Sequence, residues 1–303
     1  MKLSAHGKVF LAGEYAVLDG APALVVGIDR DLHASVAPAE RMQIVRQGLL
    51  WDGGPAPEEL RFAARAARLC GERKVRLVYE DELPKGLGSS SAATVIAVRA
   101  FSGDPLSHGV AAHWAEQGGS GSGADVAASA LGGVLEVRSR IPWRSVEEVM
   151  SLSPPQIAQP LEVRRVRVPD DLRLLLAATG HPADTRQLVK RVRALPAESR
   201  RPLADDAGWL RSALESGDRE EALEAVRTAA ADMAALGEKA GAPIVTEELV
   251  RICALAASAG VAAKPSGAGG GDYAVVLAFG DEAAGRAERA LQPQFSVLRV
   301  SPA

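Results

Sequence analysis

Short apolar segments separated by turns occupy the first third of the chain and predict strands. They are KVFLAGEY, APALVVGI, LHASVA, MQIVRQ and VRLVYE. A turn at Asp19 and Gly20 separates the first two. Between the last two, residues 55–71 carry apolar positions at helical spacing and end on Gly71, which predicts an amphipathic helix.

The pattern then changes to helices that follow loops of glycine and serine. ELPKGLGSSSAATVIAVRAF runs from such a loop into a helix of small and β-branched residues, and GSGSGADVAASALGG repeats the arrangement. Residues 107–117 predict a helix between them, and GVLEVRS predicts a strand after them.

The second half alternates strands with helices. The proline-rich SLSPPQIAQP predicts a loop, LEVRRVRV an edge strand and LRLLLAATG a buried strand. Helical patterns follow in TRQLVKRVRAL, ADDAGWLRSALESG, DREEALEAVRTAAADMAALGEKAG and TEELVRICALAASAG, and then DYAVVLAFG, EAAGRAERAL and FSVLRV predict strand, helix and strand. This order predicts an α+β protein with domains at residues 1–168 and 169–303.

Composition and charge narrow the classes of function. The 303 residues are 47% hydrophobic but only 4% aromatic, so Ala, Val and Leu must form the core. The net charge of −3 argues against nucleic-acid binding. No apolar segment is long enough to span a membrane, and the first residues do not resemble a signal peptide, so we expect a cytoplasmic protein. Cys70 and Cys253 lie in helical patterns and predict buried thiols.

The first glycine and serine loop, residues 84–93, has the features of an anion site. Gly86 and Gly88 permit close approach of a ligand to the backbone, and the following helix presents unpaired N–H groups and the positive end of its dipole. Serine hydroxyls can cap the helix, coordinate Mg²⁺ or bind phosphate oxygens. The loop is not a Walker A motif, and by itself a glycine-rich turn with serine caps explains it equally well.

Three other segments carry candidate chemistry. Residues 267–272, GAGGGD, can form a second wall over bound phosphates or a hinge. Asp125 begins a helix after glycines and can be catalytic or an N-cap. Lys8 lies beside Gly7 in the first strand and can contact a phosphoryl group or solvent. The evidence for a phosphate-binding site is that all of these segments occur together in one chain.

In this order, the segments resemble the motifs of the GHMP kinase superfamily, which includes galactokinases, homoserine kinases and mevalonate kinases. The motifs correspond to GKVFLAGEYAVLDG, PKGLGSSSAA and KPSGAGGGD. The resemblance implies an N-terminal domain like domain 2 of ribosomal protein S5 and a ferredoxin-like C-terminal domain, with ATP and the acceptor in the cleft between them.

Within the superfamily, three details resemble the phosphomevalonate kinases. They are Tyr15 in GEYAVL, Asp272 at the end of GAGGGD, and the segment TGHPADTRQLVKRV. Two residues depart from the usual pattern: Asp184 stands where that segment usually has Ser, and His6 where Pro usually precedes Gly-Lys. The departure at Asp184 puts one substrate-side hydroxyl in doubt.

The resemblance implies roles for individual residues, with ATP and Mg²⁺ as cofactors and phosphomevalonate as the acceptor. The catalytic pair would be Lys8 and Asp125. The nucleotide phosphates would contact Lys85, Gly86, Leu87, Gly88, Ser89, Ser90 and Ser91, and Ser90 would coordinate Mg²⁺. The acceptor would contact Ser122, Gly123, Arg138, Arg140, Thr185, Ser266, Gly267, Ala268, Gly269, Gly270 and Asp272. A monomer or a homodimer is expected, without nucleic-acid or membrane partners.

The chemistry of the acceptor decides what these residues must do. An alcohol needs a base, whereas a phosphomonoester, whose second pKa is about 6, is already mostly ionised at neutral pH. Cations must then offset the repulsion between two anions. Lys85, Arg138, Arg140, Arg186 and Lys190 are candidates, and Arg138 and Arg140 are favoured because they follow the Asp125 helix and its strand. Mevalonate kinase, diphosphomevalonate decarboxylase and a non-catalytic nucleotide-binding regulator remain alternatives.

Overall fold

The computed structural model describes residues 1–71, 73–119, 121–140, 153–159 and 161–303. The described helices are α1 (Arg61–Cys70), α2 (Ser89–Ala100), α3 (Ser107–Glu116), α4 (Ala124–Leu131), α5 (Pro154–Ala158), α6 (Thr185–Arg193), α7 (Arg201–Ser216), α8 (Arg219–Ala240), α9 (Glu247–Ser258) and α10 (Asp281–Leu291). The described strands are β1 (Lys2–Ala12), β2 (Pro22–Pro38), β3 (Gln43–Arg46), β4 (Leu49–Trp51), β5 (Val75–Tyr79), β6 (Gly133–Ser139), β7 (Leu161–Arg165), β8 (Leu172–Ala178), β9 (Ala262–Pro265), β10 (Tyr273–Phe279) and β11 (Ser296–Val300).

The first sheet has the strand order β4-β3-β5-β2-β6-β7, and β1 also pairs with β2. Strand β7 lies at the edge of this path, as its alternation of apolar and basic residues predicts. The predicted runs APALVVGI and LHASVA form one strand, β2, rather than two. The pairing of β1 with β2 shifts between His6 and Gly7, so a bulge accommodates the polar residues between the two apolar runs without ending the strand.

Helices α1 to α3 pack together on the first sheet, and α2 is buried on almost every side. The prediction of a loop over SLSPPQIAQP is wrong for part of that segment, because residues 154–158 form α5. Pro154 occupies the first turn, where the missing N–H is harmless, and Ser153 and Gln156 form a capping box. Ile157 is buried, which gives the short helix an apolar anchor.

The second sheet is antiparallel, with the order β11-β8-β10-β9. Residues 166–171 connect it to the first sheet and include Pro169, where the sequence predicts the domain boundary. One core cluster contains residues of both sheets, among them Val9, Leu24, Leu174 and Leu277, so the two layers pack directly together. The observed mixture of helices and sheets confirms the α+β prediction. No helix in the described ranges has the length and apolarity that a membrane span requires.

Candidate active site

A cleft of about 990 Å³ lies between residues of the N-terminal and C-terminal halves. Its walls come from β1 and the turn after it, the loop before α2, the start of α4, α6 and the loop after β9. Most of the residues predicted to bind ligands line this cleft, namely Lys8, Lys85, Gly86, Gly88, Ser89, Ser90, Ser122, Gly123, Asp125, Thr185, Ser266, Gly267, Ala268, Gly269 and Asp272.

Three of the predicted loop residues lie behind the cleft surface. The side chain of Leu87 is in the core, and its carbonyl accepts a hydrogen bond from Lys8 N at 2.8 Å. Ser91 is buried, and its hydroxyl donates to the carbonyl of Gly88 at 2.8 Å. Gly270 packs so closely on Leu188 that an added Cβ would lie 2.7 Å from it. These three residues therefore support the loops through contacts inside the protein and do not face the cleft.

Arg138 and Arg140 also lie outside the cleft. The prediction that these two arginines bind the acceptor is therefore corrected. Arg138 is on β6, where its Nε lies 3.1 Å from Oε1 of Glu136. Arg140 is exposed after the end of that strand and lies beside Gly20. Their position after the Asp125 helix in sequence does not bring them into the cleft, because Arg138 is held beside Glu136 on β6 and Arg140 lies beyond the end of that strand.

Two helices point their N-termini into the cleft. Helix α2 begins after Gly88, which has φ 83°, and α4 begins after Gly123, which has φ 79°. Glycine adopts this left-handed conformation without strain. The first N–H groups of each helix have no partner within it, and each dipole presents its positive end there. Each helix start is therefore suited to bind anionic oxygens in the cleft.

Lys8 and Asp125 meet between these helix ends. Nζ of Lys8 lies 3.1 Å from Oδ1 of Asp125, although the angle is outside hydrogen-bond geometry. The Lys8 side chain passes over Gly88, where an added Cβ would be 2.6 Å from Cγ of Lys8. Gly88 thus permits both the turn of the loop and the approach of the ammonium group.

Each of the two serines that line the cleft is held from behind by another side chain. Oγ of Ser89 accepts a hydrogen bond from Nη2 of Arg46 at 2.6 Å, and Arg46 also pairs with Glu82. Oγ of Ser90 lies 3.1 Å from Nε2 of His113.

His113 was missed from the sequence, because it lies in an otherwise apolar part of α3. It is 3% exposed yet lines the cleft beside Phe62, with ring centroids 4.8 Å apart. Burial, together with the nearby cations, lowers the pKa of His113 to about 4, against an opposing effect of Asp125. Its imidazole is therefore neutral at physiological pH.

Hydrogen bonds join the loop after β9 to the segment after β1. Oγ of Ser266 accepts from Phe10 N at 3.1 Å and lies 3.2 Å from the Phe10 carbonyl. Tyr15, a non-glycine residue with φ 63°, donates its hydroxyl to the carbonyl of Ala268. Burial raises the pKa of Tyr15, and Glu14 adds to the effect. The first and third motifs therefore form one continuous wall.

Helix α6 forms a basic wall. Arg186, Lys190 and Arg193 all line the cleft, and their spacing places them on one face of the helix. Asp184, the residue that departs from the usual pattern, caps the helix and accepts from Gln187 N at 3.1 Å.

The charges lining the cleft are mostly positive. They are the cations Lys8, Arg61, Lys85, Arg186, Lys190 and Arg193 and the anions Glu14, Asp125 and Asp272. A protein of net charge −3 thus concentrates positive charge where ligands would bind, which favours anionic substrates.

Comparison with known proteins agrees with this geometry. The family model described as GHMP kinases N terminal domain matches residues 60–133, and the model described as GHMP kinases C terminal matches residues 210–297. A phosphomevalonate kinase of Streptomyces sp. (strain CL190) is 34% identical, with 90% of this chain and 88% of that protein covered.

Solved structures show the same fold. A phosphomevalonate kinase of Streptococcus pneumoniae, in complex with phosphomevalonate and AMPPNP, superposes with a TM-score of 0.87 at 21% identity and covers 100% of both chains. The mevalonate kinase of Methanococcus jannaschii superposes with a TM-score of 0.76 at 18% identity, covering 100% of this chain and 98% of that one. From its fold, its motifs and these relatives, the chain belongs to the GHMP kinase family.

Proposed function

We propose that this protein is a phosphomevalonate kinase. It transfers the γ-phosphoryl group of ATP to 5-phosphomevalonate and releases 5-diphosphomevalonate and ADP, a step of the mevalonate route to isoprenoids. The full-length similarity to a phosphomevalonate kinase supports the activity.

The basic face of α6 is the observation that favours phosphomevalonate as the acceptor. Arg186 and Lys190 are exposed on the cleft wall, and neither has an ion pair among the described residues. A kinase acting on an uncharged acceptor such as galactose needs cations only for the nucleotide, which the loop before α2 and Lys8 supply. Mevalonate carries one carboxylate, whereas phosphomevalonate carries a carboxylate and a phosphate. A second group of cations on another wall fits an acceptor with its own phosphate.

The transfer requires positioning and charge neutralisation more than proton removal. An ionised oxygen of the acceptor phosphate attacks the γ-phosphorus, the bond to the bridging oxygen of ATP breaks, and ADP leaves with that electron pair. Lys8 stabilises the charge of the migrating group, and the helix ends at Gly88 and Gly123 bind the oxygens around it. Asp125 holds the ammonium group of Lys8 in place.

The oxygen donors around Lys8 suit Mg²⁺. The hydroxyl of Ser90 and the carboxylate of Asp125 both line the cleft, and because Oδ1 of Asp125 pairs with Nζ of Lys8 at 3.1 Å, the ion would take the other carboxylate oxygen. Among the residues that the structure describes, no cluster of three or more His, Cys, Asp or Glu forms a metal cage. This agrees with an ion bound chiefly by phosphates and by one or two protein oxygens, where it would neutralise charge on the nucleotide.

The deciding experiment is a coupled assay of ADP release with purified protein, ATP and Mg²⁺. Phosphomevalonate, mevalonate, homoserine and galactose are compared as acceptors, and the product is identified by mass spectrometry. We expect kcat/KM to be highest for phosphomevalonate, with diphosphomevalonate as the product and no release of CO₂.

Other outcomes would identify another function. A higher kcat/KM for mevalonate would make the protein a mevalonate kinase. Release of ADP and CO₂ when diphosphomevalonate is supplied as the substrate instead would make it a decarboxylase. Tight ATP binding without turnover of any acceptor would indicate a regulator.

A further inference from the structure

Arg200 joins parts of the protein that border the cleft, although it does not line the cleft itself. It lies just before α7 and is 5% exposed. Its Nε and Nη2 donate to the two carboxylate oxygens of Asp19, the second bond at 3.1 Å. Its Nη1 donates to the carbonyls of Val192 at 2.9 Å and of Leu195 at 3.2 Å. Each nitrogen of the guanidinium group therefore has a partner inside the protein.

The partners of Arg200 connect the first motif to the end of α6. Asp19 lies in the turn after β1, the strand that carries Lys8. Val192 and Leu195 lie in and just after the last turn of α6, where helix carbonyls lack partners within the helix. A guanidinium group satisfies such carbonyls and also complements the negative end of the helix dipole.

Helix α6 is attached at its other end as well. The carbonyl of His181, which precedes the helix, accepts a hydrogen bond from Asp272 N at 2.7 Å in the third motif. On the buried face of the helix, Leu188 and Val192 belong to one core cluster with Tyr15 of the first motif. The helix therefore extends from the third motif to the first, and contacts at both ends set its orientation.

We propose that Arg200 and Asp19 are positioning residues for the acceptor. They hold the C-terminal end of α6 against the first motif, so that Arg186 and Lys190 face the same cleft as Lys8. A guanidinium group suits this task because its planar donors reach a carboxylate on one side and carbonyls on another, whereas an ammonium group donates from a single atom. Because the acceptor is bound by the basic face of α6, this inference rests on the proposed function.

Steady-state kinetics of Arg200→Met, Arg200→Lys and Asp19→Asn test this role. Both arginine variants should raise the KM for phosphomevalonate by about tenfold and leave the KM for ATP within about twofold, because neither partner of Arg200 belongs to the loop before α2. Asp19→Asn keeps the volume of the side chain and one acceptor oxygen, so it should raise the acceptor KM by about threefold and serves if the arginine variants fail to fold. A normal acceptor KM in the folded variants would overturn the proposal.

Arg173 offers a matched control with the same set of partners. Its Nε and Nη2 donate to the carboxylate of Asp281, and its Nη1 donates to two backbone carbonyls, but none of these residues lines the cleft. Arg173→Met should leave both KM values within about twofold. An equal rise of the acceptor KM in this variant would show that the effect is not specific to α6 and would overturn the proposal.

A combined variant shows whether Arg200 acts through the basic face of α6. When Arg186→Gln and Lys190→Gln are already present, Arg200→Met should lower kcat/KM for the acceptor by less than about twofold further, because the groups that it positions are gone. A further tenfold loss would overturn the proposal, since Arg200 would then affect the acceptor by another route.

Hydrogen exchange separates this inference from the proposed function, because it needs no ligand. In Arg200→Met, the amides of residues 185–195 should exchange at least about fivefold faster than in the wild type, whereas those of β10 should stay within about twofold. Unchanged exchange in α6 would overturn the positioning role, and an equal increase in both segments would overturn it by indicating a general loss of stability. If the wild type does not phosphorylate phosphomevalonate, the proposed function fails, and the exchange result still decides whether Arg200 holds α6 in place.

Discussion

Lys264 on β9 and Glu14 after β1 form a buried ion pair that joins the two halves of the protein. The lysine side chain is 0% exposed and the glutamate 3% exposed. The bonded oxygen of Glu14 also lies 3.3 Å from the backbone N of Gly267, on the cleft wall. The pair therefore fixes the third motif against the first before any ligand binds.

Breaking this pair should be costly for stability. Lys264→Met leaves the Glu14 carboxylate buried without its cation, so we expect the free energy of unfolding to fall by about 3–5 kcal/mol. Urea denaturation measures the change. The double variant Lys264→Met with Glu14→Gln should recover part of the loss. Lys239→Met, at an exposed position on α8, should change stability by less than about 0.5 kcal/mol. Equal effects of the buried and exposed substitutions would contradict a structural role for the pair.

Asp206 on α7 should make stability depend on pH. It is 3% exposed and one carboxylate oxygen has no hydrogen-bond partner. Burial, with repulsion from Asp232, Glu14 and Asp205, raises its pKa to about 7 despite the attraction of Lys264. The folded state therefore holds this proton more tightly than the unfolded state, and stability from this group is present below about pH 4 and lost as pH rises to about 7.

Asp206→Asn tests this dependence, because asparagine resembles the protonated carboxyl group and does not titrate. Relative to the wild-type protein, the variant should gain stability progressively between about pH 4 and about pH 7 and level off above that, by a few kcal/mol in total at about 1.4 kcal/mol for each unit of pKa shift. Denaturation at several pH values gives the difference. Asp170→Asn, at an exposed position that does not act on Asp206, should parallel the wild-type curve. A constant offset for Asp206→Asn across this range would show that Asp206 does not titrate there.

Lys8 and Asp125 should each be necessary for turnover. Lys8→Ala removes the ammonium group that neutralises the migrating phosphoryl group, and Asp125→Asn removes the charge that holds it. We expect kcat in the ADP assay to fall by about 100-fold or more for each, with circular dichroism unchanged. Lys2→Ala, at the exposed start of the same strand, is the control and should retain full turnover. Normal kcat in either cleft variant would remove that residue from the mechanism.

The basic face of α6 should control affinity for the acceptor. Arg186→Gln and Lys190→Gln should each raise the KM for phosphomevalonate by roughly tenfold, since each removes one charge-assisted hydrogen bond. The KM for ATP should change little, and added salt should reduce the difference between the variants and the wild type. Arg138→Gln is the matched control, because Arg138 pairs with Glu136 away from the cleft. If Arg138→Gln raises the KM as much, the acceptor phosphate is not bound by α6.

Local signals account for the part of the site that was predictable. The loops around Gly88 and Gly123 could be predicted because the start of a helix after glycine depends only on neighbouring residues. The structure places both loops in one cleft. The strand after α4 was also predicted with its observed bounds, residues 133–139. The direction in which Arg138 and Arg140 lie could not be predicted from the sequence, since it depends on how β6 runs between β2 and β7.

The residues that lie behind the cleft serines could not be predicted from the sequence either, because their contacts depend on tertiary structure. His113 is a single polar residue in an apolar helix, and Arg46 ends a short strand 43 residues before its partner Ser89. Their importance comes only from contact with the serines. The sequence by itself determined most types of element, the α+β class and the glycine-rich loops at the starts of α2 and α4, because these depend on neighbours along the chain. Tertiary structure decided which cations reach the cleft and which hydroxyls stay available, because packing brings together groups that are far apart in sequence.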